Sequence, residues 1–142
     1  MNPTKTISML ILLGLVLAAS ACSFSVSTAN IGGLKIGKDK EMSHEAAAFD
    51  ATDKIFSAVT ISNNPGAVKV KGSLHVVEIE GQKPGPIPGL ETTVAVDGDA
   101  TTNFNFSPPT NGWPKGKYKF EAIMLNENGE QKDSKSHDFT VN

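Results

Sequence analysis

The feature that most constrains this chain is an apolar–polar alternation with a period of two, running from Asp53 to the C-terminus. Residues two apart share one face of a strand, whereas one face of a helix needs spacings of three and four. Lys54 to Ile61 sets Ile55, Ser57, Val59 and Ile61 against Phe56, Ala58 and Thr60. Val68 to Ile79 sets Val68, Val70, Leu74 and Val76 against Lys69, Lys71, Ser73 and His75, and the phase blurs at Val76-Val77, as a bulge would make it do. Leu90, Thr92, Val94 and Val96 alternate next, then Thr102, Phe104 and Phe106, then Tyr118, Phe120, Ala122 and Met124, and last Phe139 and Val141. Asn63-Asn64-Pro65-Gly66 and Asn126 to Gly129 read as turns, and Asp97-Gly98 reads as a hairpin. Gly81 to Gly89 (GQKPGPIPG) holds three prolines and reads as a stiff crossover loop, since proline is excluded from a central strand. Ser107 to Gly116 (SPPTNGWPKG) reads as a long loop. Upstream, Ile31 to Ile36 starts a strand and Gly37 to Glu41 is a charged turn. Glu45 to Phe49 reads as extended, being too short to stand alone as a helix. Six or seven short strands without a long helix predict an all-β, two-layer antiparallel sandwich, with a small barrel as the alternative.

The first 22 residues speak to compartment. Lys5 precedes an apolar run, Met9 to Ala19, of signal-peptide length and too short to span a bilayer unaided. Ala19-Ser20-Ala21 then leads into Cys22, the only cysteine. This resembles a bacterial lipoprotein signal, which implies cleavage after residue 21, lipidation of Cys22 and attachment to a membrane of the cell envelope. Ser23 rather than Asp follows the cysteine, resembling lipoproteins sent to the outer membrane of two-membrane hosts. Ala19 stands where many such signals have Leu, and Ala19-x-Ala21 also fits cleavage of a plain secreted protein. The expected organisation is residues 1–21 as signal peptide, 22–30 as a Ser/Thr-rich tether and 31–142 as one folded domain.

Composition removes several classes of partner. Without Lys5 the mature chain carries 12 lysines against 15 acidic residues, net −3, the wrong sign for nucleic acid. Arginine is absent throughout, so bidentate guanidinium recognition of phosphate or carboxylate is not available to it.

Gly116-Lys117-Tyr118 opens the penultimate strand and resembles the tyrosine corner of immunoglobulin-like domains, with Phe120 standing where antibody domains carry their second cysteine. The cysteine pair and the strand tryptophan of antibody domains are absent, Leu74 holding the latter position. From Gly112-Trp113-Pro114 through Gly116 and Tyr118 to Phe139-Thr140-Val141, the chain resembles the end of bacterial immunoglobulin-like domains on envelope lipoproteins. The resemblance implies an immunoglobulin-like β-sandwich of about seven strands, with Gly116 and Tyr118 structural. It implies no activity.

Candidate chemistry is thin. His44, His75 and His137 are too scattered for zinc-ligand spacing, and His75 and His137 read as lying on solvated strand faces. Asp97-Gly98-Asp99 lacks the later ligands of a calcium loop. Glu78 and Glu80 read as a solvated strand end, and no Gly-x-Ser-x-Gly elbow or phosphate loop occurs. No enzyme, cofactor or metal site is expected. The candidate binding residues are Trp113 and Pro84, Pro86, Ile87 and Pro88, on the two longest Pro/Gly stretches. They suit a non-catalytic, lipid-anchored module that binds an envelope protein or polymer. A small-ligand or carbohydrate-binding role through Trp113 is the alternative, and it calls for an exposed indole.

Overall fold

Eight strands carry the alternation: β1 (Asn30–Gly37), β2 (Ala48–Phe49), β3 (Ile55–Ser62), β4 (Ala67–Glu78), β5 (Gly85–Asp97), β6 (Ala100–Phe106), β7 (Gly116–Leu125) and β8 (Gln131–Val141). The computed structural model describes residues 29–142, so the signal, Cys22 and most of the tether lie outside the described residues. Among those described there is no helix. Glu45 to Phe49 is extended: Glu45 bridges Gly37, and Ala48–Phe49 pairs parallel to the end of β8.

The strands form two sheets, ordered β1-β3-β6 and β2-β8-β7-β4-β5. In immunoglobulin lettering these are A-B-E and A′-G-F-C-C′. The chain is an immunoglobulin-like β-sandwich. Its core follows the predicted phase: Ile55, Val59, Val70, Leu74, Phe120, Ala122 and Met124 are fully buried between the sheets. Each large aliphatic or aromatic side chain so placed contributes about 1.5–3 kcal/mol. Ile31 N–H donates to Asp133 Oδ2 at 2.8 Å and ties β1 to β8, closing one flank. On the other flank β5 and β6 are both edges.

Two residues break the aliphatic pattern inside the core. Gly72 lies mid-strand in β4, where glycine costs about 0.5–1 kcal/mol relative to alanine. A Cβ there would sit 2.7 Å from the Phe104 ring, so the missing side chain is the seat for that ring, which leans on Phe120 at 5.7 Å. Ser57 is fully buried on β3, and its hydroxyl has no hydrogen-bond partner among the described residues.

Three expectations are corrected. Gly85 to Gly89 is the first part of β5 and not a loop, with Pro86 opposite His75. The prolines are tolerated because β5 is an edge strand with β4 as its one sheet neighbour. The β4–β5 connection is also a hairpin within one sheet, so it crosses nothing. Asp97-Gly98 is not a hairpin: it takes the chain from β5 across to β6 in the other sheet.

Candidate functional site

The Ser107–Lys115 segment joins β6 to β7 and caps one end of the sandwich. Trp113 plugs it. Its side chain is buried (3 % exposed), its backbone N–H donates to Ala51 O at 2.7 Å, and its indole N–H donates to Asp53 O at 2.8 Å. The indole meets Tyr118 edge-on at 6.4 Å, and Tyr118 stacks on Phe139 at 5.4 Å, which meets Phe49 edge-on. The Tyr118 hydroxyl donates to Pro114 O at 2.7 Å, four residues back, which is the contact that defines a tyrosine corner. Burial pushes the Tyr118 phenol above its ordinary value, so it stays a donor. Gly116 has φ +151°, and a Cβ there would lie 2.4 Å from Glu78 O. That approach lets the loop re-enter the sheet beside the end of β4.

The two stretches singled out by composition meet at this end. A cavity of about 190 Å³ opens between β5 and the capping loop, walled by Ile79, Ile87, Leu90, Pro109, Trp113 and Tyr118 among others. Among the described residues, Gln82 is the one amide side chain in the lining and no charged residue contributes. The cavity can take an apolar group and has little to offer a charged one. Ile87 is half-buried and packs on the core, whereas Pro86 and Pro88 are exposed on the strand and Pro84 lies before it. The structure therefore brings Ile87 and Trp113 together and leaves the three prolines outside the cavity. Ile79, Leu90 and Pro109 escaped the sequence reading. Leu90 was legible only as one more alternating strand residue, and nothing local marks the other two.

With its N–H committed and its ring covered, Trp113 offers no flat face to a sugar. A larger depression of about 630 Å³ lies at the opposite end, between the Asn63–Gly66 turn and the β7–β8 hairpin. Its lining mixes Ala29, Val68 and Met124 with Asn64, Asn126, Glu127 and Lys132.

The titratable residues do not assemble. His75 is not on a solvated face: its side chain is 16 % exposed on the outer side of the larger sheet, with Nε2 3.0 Å from Ser73 Oγ and 3.2 Å from Glu121 Oε2. Burial pushes its pKa down, against the opposing pull of Glu121. Both partners address one ring nitrogen, whereas a Ser–His–acid relay uses both. His44, exposed, contacts Asp39, and His137, half-buried, contacts Asp138 O. Glu78 pairs with Lys117, whose ammonium lowers the carboxyl pKa. Asp99 Oδ1 accepts Asn64 N–H at 2.7 Å. Among the described residues no three His, Cys, Asp or Glu side chains cluster as metal ligands.

Comparison with known proteins bears on the fold alone. No family model matches the chain, and no curated protein matches its sequence. A Niemann-Pick type C2 protein from the Japanese carpenter ant superposes with a TM-score of 0.50 at 13 % identity, covering 80 % of this chain and 92 % of that one. The soluble domain of PmoD from a Methylocystis species aligns with a TM-score of 0.39 at 15 % identity, covering 77 % of this chain and 89 % of that one.

Proposed function

We propose that this chain is a non-catalytic binding module, anchored in a bacterial cell envelope by lipid on Cys22, that engages an envelope protein or polymer through the Trp113 end of the sandwich. The observation that carries the reading is the uncharged cavity between Ile87 and Trp113. It lies at the end remote from Ala29, where the tether joins. Strands of this length separate a contact surface from the attachment point, and a rigid scaffold lowers the ordering cost of binding. Two or three acyl tails would anchor the chain stably where one is marginal.

The anchor is tested by the intact mass of the processed chain from envelope membranes. Acylated Cys22 supports it, and an unmodified thiol overturns it. The binding end is tested by affinity recovery of partners from the same membranes, with the full chain as bait. Ile87→Lys, which puts a charge in the cavity wall, is expected to lose the partner, while Lys132→Ala at the far end keeps it. Retention by Ile87→Lys together with loss by Lys132→Ala would move the site to the other end.

The apolar lining favours a second reading, a small apolar ligand held in the cavity. Native mass spectrometry would then show an added mass on the wild-type chain that Ile87→Lys removes.

A further inference from the structure

The sequence holds two Asn-Gly steps, Asn111-Gly112 in the capping loop and Asn128-Gly129 in the β7–β8 hairpin. Both occupy the same place in a turn. Gly112 N–H donates to Pro109 O at 2.8 Å and Gly129 N–H donates to Asn126 O at 3.0 Å, so each asparagine stands third in its turn and each glycine closes it. The two glycines have φ of +78° and +81°. The local geometry is matched, and the surroundings are not. At Gly112 a Cβ would lie 2.9 Å from Ala51 O, and the next residue, Trp113, is buried with its N–H bonded to that same oxygen at 2.7 Å. At Gly129 a Cβ would meet nothing within 4 Å among the described residues, and Asn128 and Gly129 are both exposed. The bonds that hold this tip stay within the hairpin, from Asn126 N–H to Glu130 O and from Glu130 N–H to Asn126 Oδ1, both at 2.9 Å.

We propose that Asn128 is a site of spontaneous deamidation and that the fold protects Asn111 from the same reaction. The Gly129 nitrogen attacks Asn128 Cγ. A Cγ–N bond forms, the Cγ–Nδ2 bond breaks, and the amide proton leaves with the side-chain nitrogen as ammonia. Water then opens the succinimide at either carbonyl and gives aspartate, or isoaspartate with the main chain routed through the side chain. Glycine permits the ring because no Cβ crowds the attacking nitrogen. Cyclisation swings the Asn–Gly peptide out of its turn, so the glycine N–H bond must open first. At Asn128 that opening is confined to an exposed tip, where local unfolding costs least. At Asn111 it would also pull on Trp113 and its bond to Ala51. The product alters a surface, because Asn128 lines the depression of about 630 Å³. The charged residues in that lining are one carboxylate, Glu127, and one ammonium, Lys132, among the described residues. A second carboxylate turns this balanced surface acidic.

The test ages the purified full-length chain in warm neutral buffer and follows both asparagines by peptide mapping, which separates amide, aspartate and isoaspartate forms. Conversion at Asn128 is expected to run at least about 10-fold faster than at Asn111, the order of one tertiary hydrogen bond that only Asn111 must break. In denaturing urea the two rates are expected to come within about 3-fold of each other, because glycine follows both. Equal rates in the folded chain overturn the proposal. So does an Asn128 that stays an amide in the folded chain while urea converts it. A ratio that persists unchanged in urea assigns the difference to neighbouring side chains, and overturns the protection by the fold.

Discussion

The two ends of this sandwich are closed by different physics. At the Ala29 end polar turns hold each other: Asn64 N–H donates to Asp99 Oδ1, Asn64 Nδ2 donates to Gly98 O at 2.9 Å, and Gly98 N–H donates to Gly66 O at 2.9 Å. At the Trp113 end an aromatic stack from Trp113 through Tyr118 and Phe139 to Phe49 fills the opening, and hydrogen bonds only position it. Hydrogen bonds exchanged against water contribute about 0.5–1.5 kcal/mol each, whereas a buried indole removes a large apolar area from water as well. The Trp113 end should therefore hold most of the end-capping stability, and the small apolar cavity lies beside that rigid stack.

The largest effect is expected from Trp113→Ala. It empties the plug and leaves Asp53 O without its indole donor, a loss of about 3–5 kcal/mol, a large fraction of a typical domain's total of about 5–15 kcal/mol. Chemical denaturation measures it, and a loss under about 1 kcal/mol would show that the plug is dispensable. Tyr118→Phe keeps the ring stack and removes only the bond to Pro114 O, so about 1–2 kcal/mol should go. An unchanged denaturant midpoint would separate the corner hydroxyl from stability. Asn64→Ala cuts the turn-to-turn bond at the other end and should cost about 1 kcal/mol. If it costs as much as Trp113→Ala, the contrast between the ends fails. Ser57→Ala, between the ends, removes a buried hydroxyl that has no partner among the described residues and should stabilise the fold by about 1 kcal/mol. A drop in melting temperature would reveal an unrecognised bond to that hydroxyl.

The smallest effect is a pH dependence carried by the middle of the larger sheet. Burial lowers the pKa of folded His75, so on acidification the unfolded chain takes up its proton first, near pH 6.5. This contribution is complete above about pH 6.5 and is lost as pH falls toward the folded value. Glu121 opposes the shift, while Lys119 and Lys71 reinforce it. His75→Gln should flatten the melting-temperature profile between about pH 7 and pH 5, well above the range where carboxylates such as Glu78 titrate. An identical slope in wild type and variant would remove His75 as its source.

The strands and their inward faces were legible in the residues, because a period of two fixes which side chains share a face whatever the neighbouring strand is. Ile55, Val59, Val70, Leu74, Phe120 and Met124 needed nothing more. The Gly116-Lys117-Tyr118 pattern is likewise local, since the hydroxyl reaches back only four residues. What the alternation leaves open is which strand lies beside which, and each correction comes from there. Pro86 and Pro88 sit in a strand because tertiary pairing put that strand at an edge. Asp97-Gly98 turns a corner because β6 pairs with β3 and not with β5. His75 is half-buried because β7 sets Glu121 and Lys119 beside it. The cavity joins Ile87 to Trp113, and Trp113 bonds to Asp53 sixty residues away, contacts that depend on how two sheets stack and that no local pattern encodes. The sequence by itself thus determined the faces of the strands, through the geometry of the single strand. The tertiary structure alone decided the edges, the corners and the site, through long-range pairing.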